Sequence, residues 1–366
     1  MIDRRLISNF NWWFFGLILA VSILGVVVIY SANHGRPELF FRNLYIKQVY
    51  WILYGLGALA VAVMIDYTLL NRYAYLIYCV TVIGLIYVLL HGTVASGARR
   101  WIHIGSLSLQ ISEFAKFALI VALAKYFEEG KAHAKYQIKD LIIPAIMTGI
   151  IVLLIAVQPD LGTGMIAAFI FLIFVISVEM DNRTLIGFLV TGILLVPMGW
   201  FLLRDYQKDR VLTLFNPERD PLGAGYHSIQ SKIAIGSGGF WGKGLFAGTQ
   251  SRLNFLPEKH TDFIFSVFAE EMGFLGVVVL LSLYLIIILK GLNIAYRAAD
   301  RFGLFVALGI VASISFYSLY NIGMAIGILP ITGIPLPFLS YGGSALITNF
   351  FSVGILLNIE MRRFNR

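Results

Sequence analysis

The sequence predicts an all-α integral membrane protein, and three observations lead to that fold class. Hydrophobic residues occupy 59% of the 366 positions and charged residues only 13%, against about 45–50% and about 25% in soluble domains. The mean hydropathy is +0.83, and the apolar residues gather into ten long runs. This composition excludes a soluble enzyme and a disordered chain. Cys79 is the one cysteine, which excludes a disulfide scaffold.

Each apolar run is long enough to cross the hydrocarbon core of a bilayer, which takes about 17–25 residues of helix. Charged residues, proline or glycine bound the runs. The first run lacks an A-x-A-like cleavage site, so we expect a membrane anchor rather than a signal peptide. The ten predicted spans lie at 13–31, 48–65, 73–91, 108–126, 141–157, 161–178, 184–203, 263–289, 303–327 and 344–360.

The distribution of Lys and Arg predicts the orientation of these spans. An even number of spans places both termini on one side of the membrane. The termini and the four loops on their side carry fourteen Lys and Arg residues, and the short loops on the other side carry five. Because positive charge accumulates in cytoplasmic loops, we expect cytoplasmic termini. The long segment 204–262, between spans 7 and 8, then faces outward.

Segment 204–262 concentrates the polar side chains of the sequence and is rich in glycine between 236 and 248. A loop of this length without structure of its own is uncommon unless it is functional. A flexible tether is the alternative. The segment also contains aromatic residues such as Tyr226, Phe240 and Trp241, which favours an ordered loop that packs on the membrane surface.

Asp262 ends this segment, directly before an apolar run, and two interpretations of it remain open. Aspartate is a favoured N-cap of a following helix. On a helix continuing from Asp262, however, Ser266, Ala269, Gly273 and Gly276 would share one face. Such a stripe of small residues forms a groove that accepts either a neighbouring helix or a lipid tail, with a carboxylate at its outer rim.

Several other charged residues fall within or beside the predicted spans, where ionisable groups are costly and mark functional sites by default. Glu113 and Lys116 are three residues apart on one helix face and can pair, either at a site or only to fix helix packing. Glu270 and Glu271 have no role that the local sequence assigns. Asp160 lies in a tight turn, where capping of the sixth span is the expected role.

Residues 329–343 are apolar but include three prolines and three glycines. Such a segment cannot form a regular helix throughout. Irregular backbone at membrane depth is tolerated where it is buried in protein or lines a wet cavity. We therefore expect a re-entrant or surface-hugging wall of the site.

Five motifs in one order resemble those of the SEDS family (shape, elongation, division and sporulation), and within it the RodA branch more than the FtsW branch. The resemblance extends from the first span to the last. The family often has proline where this chain has Ile111, a difference that affects the start of the fourth span and removes no functional group. The motifs are GARRWI at 97–102, SEFAK at 112–116, QPDLGT at 158–163, LPEKHTDF at 256–263 and GIPLPFLSYGG at 333–343.

The resemblance implies a single transmembrane domain over 1–366 and a peptidoglycan glycosyltransferase of the bacterial cytoplasmic membrane. Such an enzyme polymerises lipid II during cell-wall elongation and inverts the anomeric centre. The family's essential aspartate maps onto Asp262. We expect this carboxylate to act as the general base, because the attacking sugar hydroxyl must lose a proton.

The diphosphate leaving group requires positive charge, and the sequence offers several candidates beside Asp262. A divalent metal ion, Mg²⁺ or Mn²⁺, is a further candidate, and no other cofactor is expected. Glu113 and Trp101 join the predicted site through their motifs. The predicted substrate-binding residues are Arg100, Trp101, Glu113, Lys116, Arg210, Lys259 and His260.

Two alternative functions remain open from the sequence. A lipid II flippase would need a polar path through the bundle, for which only Glu113, Lys116, Glu270 and Glu271 are available. A membrane scaffold would only position another enzyme. The resemblance implies as partners lipid II, a class B penicillin-binding protein that crosslinks the new strand, and other membrane proteins of the elongation complex, with no role for nucleic acid.

Overall fold

The structure of the chain is a computed structural model that describes residues 9–34, 38, 41, 43–95, 98–104, 107–130, 135–220, 223–253, 255–256 and 258–363. Some residues used in the sequence predictions therefore lie outside the described residues. Among these are Gly97 and Pro257 of the motifs and the basic residues Arg4, Arg5, Arg36, Arg42, Lys131 and Arg366.

Thirteen helices are formed by the described residues, and a long helix overlaps each of the ten predicted spans. The first seven are α1 Trp12–Asn33, α2 Leu44–Met64, α3 Thr68–His91, α4 Ile111–Glu129, α5 Ile138–Val157, α6 Leu161–Ile176 and α7 Asn182–Leu202. The remaining six are α8 Asp205–Phe215, α9 Ala224–Ser237, α10 Thr249–Arg252, α11 Ile264–Tyr296, α12 Arg301–Ala325 and α13 Gly343–Arg362.

Eight of the described helices are long and apolar enough to cross a membrane, namely α1, α2, α3, α5, α7, α11, α12 and α13. Helix α6 is apolar but has only 16 residues. Helix α4 buries 13 of its 19 residues, among them Glu113 and Lys116. The centre of the bundle is therefore α4, α12 and α13, while α3 and α5 expose Leu and Ile side chains suited to lipid.

A small β-sheet between α3 and α4 contradicts the all-α prediction. Its strands β1 Thr93–Ala95, β2 Ala98–Ile104 and β3 Leu107–Gln110 pair antiparallel in that order. The predicted fourth span began at 108, but β3 occupies 108–110 and the helix begins at Ile111. The strands place Arg100 and Trp101 beside the bundle.

The segment 204–262 carries helical structure of its own rather than forming a featureless tether. It contains α8, a 3₁₀ turn at Pro217–Arg219, α9 and the short α10. Helix α9 packs against α11, and the Ser231 and Ser266 hydroxyls lie 2.6 Å apart in the contact. At Ser266, the small residues that follow Asp262 are therefore packed against another helix of this chain. A neighbouring helix was one of the two occupants expected for this groove, and a lipid tail was the other.

Helix α11 is interrupted at Gly273, which adopts φ 65° and ψ −166°. The glycine-rich loop after α9 enters this break. The N–H groups of Lys243 and Gly244 donate to the carbonyls of Glu270 and Glu271 at 3.1 and 2.9 Å. The prediction of one continuous face running from Ser266 to Gly276 is therefore wrong, because the loop satisfies backbone groups that a continuous helix would pair internally.

Candidate functional site

A cavity of about 500 Å³ lies where α4, α6, α12, the sheet and residues 333–345 meet. Its volume falls in the range of pockets that bind small molecules, roughly 300–1,000 Å³. The charged residues on its wall are Arg100, Glu113, Asp160 and Asp262. Trp101 also lines it, so the cavity brings together four of the eight predicted site residues.

Asp262 lies just before α11 and faces this cavity. The predicted N-cap role is wrong: the N-cap position is Phe263, and no side chain caps the helix there. The Asp262 carbonyl accepts a hydrogen bond from Asn321 Nδ2 at 2.9 Å. The carboxylate is therefore directed to the cavity instead of to the amides of the helix.

The surroundings of Asp262 hold its pKa far above the ordinary value of a carboxyl group. The pKa is raised from 3.8 to about 7, chiefly by burial and in addition by the negative charge of Glu258. The Thr261 hydroxyl and the Arg210 guanidinium act in the opposite direction and lower it. A carboxylate with a pKa near neutrality is both available and basic enough to accept a proton at physiological pH.

Arg100 reaches the cavity from β2 and is held by the turn that precedes α6. Its Nε donates to Gln158 O at 3.1 Å, and its Nη2 donates to Pro159 O. In the next residue of that turn, Asp160 accepts from Thr163 N at 3.3 Å and caps α6, as predicted. Arg100 thus places a fixed positive charge in the same cavity as Asp262.

Glu113 and Lys116 form a buried ion pair with Nζ and Oε2 2.8 Å apart. The hydroxyl of Tyr317 donates to the other Glu113 oxygen at 3.0 Å, and the Lys116 ammonium lies 4.1 Å from the centre of the Tyr317 ring. Glu113 and Tyr317 line the large cavity, whereas Lys116 lines a separate small void below it. Lys116 thus reaches the site through its contacts with Glu113 and Tyr317.

Besides Lys116, three more of the predicted substrate-binding residues do not line the cavity. The Arg210 side chain is exposed and donates to Ile331 O at 3.1 Å. Lys259 is only 1% exposed. The His260 ring packs against Phe41 and Tyr341 with centroid distances of 5.9 Å. Of the three, Arg210 acts on the site through its charge near Asp262.

The structure assigns packing roles to Glu270 and Glu271, which the sequence left open. Glu270 accepts from Lys243 Nζ at 2.7 Å and from the N–H groups of Thr249 and Gln250 at the start of α10. Glu271 accepts from Ser31 on α1 at 2.5 Å. Both carboxylates hold the glycine-rich loop in place, and neither lines the cavity.

Sequence reasoning missed several polar residues of the cavity wall. Gln110 donates to Asp160 Oδ2 at 3.1 Å, and its N–H donates to Ser344 Oγ at 3.1 Å. The alternation of polar and apolar residues through 98–110 was the available signal for the strands that carry Gln110. Tyr317 lies in an apolar helix and had no such signal.

The described side chains do not form a complete ligand set for the candidate metal ion. Within the described part of the chain, no three His, Cys, Asp or Glu side chains come together as a ligand group. Two of the three cavity carboxylates are engaged by protein donors, Asp160 by Thr163 and Glu113 by Lys116. No catalytic step is therefore assigned to a metal.

Comparison with known proteins gives consistent matches along the whole chain. Residues 11–365 match the family of cell cycle proteins FtsW, RodA and SpoVE. The peptidoglycan glycosyltransferase MrdB of Escherichia coli K12 is 41% identical over 349 residues, which cover 95% of this chain and 92% of that protein.

Two solved structures have the same fold. A chain from a structure described as the coordination of polymerization and crosslinking by a peptidoglycan synthase complex superposes with a TM-score of 0.81 at 32% identity, covering 98% of this chain and 99% of that one. The rod shape determining protein RodA of Thermus thermophilus superposes with a TM-score of 0.70 at 28% identity, covering 97% and 98% of the two chains.

Proposed function

Because this chain belongs to the family of cell cycle proteins FtsW, RodA and SpoVE, we infer that it is a peptidoglycan glycosyltransferase of the inner membrane. The relative from E. coli is named a peptidoglycan glycosyltransferase. We propose lipid II as the substrate. The observation that carries the mechanistic proposal is the cavity that Asp262 shares with Arg100.

The proposed reaction joins two sugars and releases a lipid diphosphate. The 4-hydroxyl of the acceptor GlcNAc attacks the anomeric carbon of the donor MurNAc, and the bond to undecaprenyl diphosphate breaks with inversion. Asp262 accepts the hydroxyl proton, for which its pKa of about 7 is well matched. The bonding electrons leave with the diphosphate, which gains a negative charge.

We propose Arg100 as the residue that stabilises this charge, because among the described residues it is the basic side chain that lines the Asp262 cavity. Its guanidinium is already oriented by Gln158 and Pro159, so little reorganisation is needed during the reaction. The ammonium of Lys116 is engaged by Glu113. We propose that Arg210 contributes from the rim and that Lys259 and His260 support the loop.

The placement of the site on the outer face also belongs to the proposal. Ten spans with cytoplasmic termini would put the segment 204–262 outside, in agreement with the Lys and Arg distribution. We propose that the whole chain acts as one transmembrane domain, which the family match over 11–365 supports. The irregular wall at 329–343 then faces the outer half of the bilayer.

We also propose a class B penicillin-binding protein as partner. The support is the solved structure with a TM-score of 0.81, whose description couples polymerization to crosslinking in a peptidoglycan synthase complex. The flippase alternative requires a polar path through the bundle. Glu270 and Glu271 are engaged by the glycine-rich loop and α1, which leaves that path without two of its four candidate residues.

The test is polymerisation of purified lipid II in detergent with and without the transpeptidase partner. We expect wild type to form glycan strands and Asp262→Asn to lose about 10²–10⁴-fold in rate, the range for a general base, while its unfolding temperature is not lowered. Retained polymerisation in Asp262→Asn would exclude the base assignment. Translocation of lipid II in liposomes by a wild type that forms no polymer would favour the flippase.

A further inference from the structure

The backbone that carries Asp262 lies outside any helix or strand, and α11 begins only at Ile264. Glu258, four residues earlier, has the left-handed φ of 46°. No repeating hydrogen-bond pattern therefore fixes the peptide planes before Asp262. The direction of its side chain depends on whatever holds those planes.

Asn321 of α12 is the first group that holds them. Its Nδ2 donates to Asp262 O at 2.9 Å and to Ile334 O at 2.7 Å. The side chain is completely buried, and its Oδ1 has no hydrogen-bond partner among the described residues. The unpaired buried oxygen of this amide destabilises the folded protein. The two hydrogen bonds that Nδ2 donates are therefore the contacts that the amide contributes at this position.

Ser340 holds the preceding residue from the opposite side. Its Oγ donates to Thr261 O at 2.7 Å and accepts from Leu336 N at 2.8 Å. Ser340 is 4% exposed. Like Asn321, it joins the loop of Asp262 to the irregular wall, here at Leu336 rather than at Ile334.

A third contact completes the series, since Tyr341 N donates to His260 O at 2.9 Å. The carbonyls of residues 260, 261 and 262 are thus each held in turn, by a main-chain N–H, a hydroxyl and an amide. We call Asn321, Ser340 and the Tyr341 N–H the carbonyl clamp. Every one of its members belongs to α12 or to the wall and none to the loop itself.

We propose that Asn321 and Ser340 are positioning residues of the glycosyltransferase site, which orient the Asp262 carboxylate toward the reacting hydroxyl by fixing the carbonyls of residues 261 and 262. The inference rests on the proposed function of Asp262. Neither residue lines the cavity, so neither is expected to touch substrate. Their effect on the reaction passes through the loop.

The clamp also maintains the low-polarity setting of Asp262. Releasing either carbonyl would let the loop move and admit water to the carboxylate, and hydration stabilises the charged form. The charged groups around Asp262 are Glu258 and Arg210 by the loop and Arg100, Glu113 and Asp160 on the cavity wall. None of these five residues is substituted when the clamp is altered.

The experiment compares Ser340→Ala and Asn321→Leu, which remove the donors, with Ser340→Thr, which keeps the hydroxyl. Initial rates of lipid II polymerisation by the purified full chain are measured as functions of substrate concentration and pH. We expect kcat to fall about 10–100-fold in the first two variants, the scale of a 1 Å misplacement of a reacting group, with KM within about twofold.

Two matched controls remove hydrogen bonds to the same wall without touching the loop. Tyr320, next to Asn321 in α12, donates to Pro330 O at 3.2 Å, and Tyr284 donates to Pro337 O at 2.5 Å. Tyr320→Phe and Tyr284→Phe should keep kcat within about twofold. They report what a general loosening of the wall would do.

The acidic limb of the pH–rate profile separates positioning from loss of stability. In Ser340→Ala and Asn321→Leu we expect this limb to move to lower pH, because a hydrated Asp262 ionises more easily. Ser340→Thr should restore both kcat and the limb, and failure to restore either would count against the hydroxyl contact. A variant that is merely less stable would lower the rate at every pH without moving the limb.

The outcomes distinguish this inference from the proposed function. Wild type without polymerase activity would remove the proposed function, and the inference with it. An active wild type with Ser340→Ala and Asn321→Leu indistinguishable from the tyrosine controls would overturn the inference alone. If one of the two variants fails to fold in detergent, the other still decides, because each releases a different carbonyl.

Discussion

Asp262 Oδ2 lies 3.4 Å from the position that a Cβ atom on Gly333 would occupy. Gly333 belongs to the irregular wall and has a φ of 79°, which side chains rarely allow. A Cβ atom at this position would therefore be in van der Waals contact with the carboxylate. A larger residue at 333 would fill the space in front of the reacting oxygen.

Gly333→Ala is therefore expected to lower the polymerisation rate by about tenfold or more, because the methyl group would lie in van der Waals contact with the carboxylate, where the sugar hydroxyl has to approach. The matched control is Gly239→Ala. Gly239 has a similar φ of 58° but nothing within 4 Å of its Cβ position. Both variants carry a backbone strain of about 1–2 kcal/mol, so equal losses of rate in the two would contradict a local effect on Asp262.

The second prediction concerns the pH dependence of the reaction. Asp262 must be ionised to act as a base, so the rate should rise as the pH passes about 7, the pKa set by burial and Glu258. Glu258→Gln removes the negative charge that raises this pKa and should move the limb to lower pH. Arg210→Gln removes the positive charge that lowers it and should move the limb to higher pH.

The control for these charge effects is Arg210→Lys, which keeps the positive charge and should leave the limb in place. Glu258 and Arg210 are exposed, so solvent screens both charges and the shifts should shrink as salt is added. Polymerisation rates between pH 5 and 9 at two ionic strengths provide the measurement. Shifts of the same sign in Glu258→Gln and Arg210→Gln would refute the electrostatic assignment.

The third prediction concerns stability. Since the folded protein raises the pKa of Asp262 from 3.8 to about 7, it binds this proton more tightly than the unfolded chain. Stability contributed by the neutral carboxyl is present below pH 3.8 and is lost as the pH rises to about 7. Asp262→Asn removes that loss, so it should unfold at a higher temperature than wild type at pH 8.

Thermal unfolding in detergent at pH 8 and pH 5 checks this linkage. The difference between Asp262→Asn and wild type should be larger at pH 8, because less of the loss has accumulated at pH 5. A difference that is independent of pH would instead indicate a change in packing. An inactive yet more stable variant is the pattern expected of a functional carboxylate held in an unfavourable environment.

The apolar runs of the sequence determine the helices of this protein, whereas contacts between distant residues determine the details of its site. In a bilayer, the backbone N–H and C=O groups of a long apolar run have to form hydrogen bonds within the run, and a helix achieves this. For this reason all ten predicted spans contain helices. Nine of these helices have both ends within five residues of the prediction, and α11 ends at Tyr296, seven residues beyond the predicted end. The strands around Arg100 were missed because a short alternating stretch carries little signal beside such runs.

The site could be predicted only in part for a related reason. Motif membership located Asp262, Arg100, Trp101 and Glu113, which the cavity does bring together. The break at Gly273 depends on a loop thirty residues earlier in the chain, and the clamp on Asp262 depends on residues sixty to eighty positions later. The spacing of neighbouring residues in the sequence predicts neither feature. The N-cap role, one of the two interpretations open for Asp262, fails for the same reason, since Asn321 holds the Asp262 carbonyl from another helix.

The fourth prediction addresses whether Glu113 and Lys116 serve the site or only the packing of the bundle. Lys116→Met leaves the Glu113 carboxylate buried without its cation and is expected to cost about 3–5 kcal/mol. Glu113→Gln combined with Lys116→Met removes both charges, and the unfolding temperature should largely recover. Polymerase activity that recovers with it would indicate packing alone.

We expect the double variant to stay poorly active, because Glu113 lines the cavity of Asp262 and holds the Tyr317 hydroxyl there. Tyr317→Phe tests this step, since it removes one hydrogen bond to Glu113 and leaves the ion pair. Unfolding temperature and polymerisation rate are measured on the same preparations. Full activity in a stable double variant would assign the pair to structure.

The last prediction concerns the break in α11. A Cβ at Gly273 would lie 2.2 Å from Gly242 N, and a Cβ at Gly242 would lie 2.1 Å from Glu271 O. Both contacts are with backbone and cannot be relieved by turning a side chain. Gly273→Ala and Gly242→Ala are therefore each expected to destabilise the protein by at least about 1–3 kcal/mol, the cost of overpacking.

Gly236→Ala in α9 is the matched control, because nothing lies within 4 Å of its Cβ position. In a helix this change should be neutral or slightly stabilising. If α11 were continuous in the protein, Gly273→Ala would favour helix and raise the unfolding temperature as well. Opposite signs for Gly273→Ala and Gly236→Ala therefore establish that the glycine-rich loop occupies the break, and equal signs exclude it.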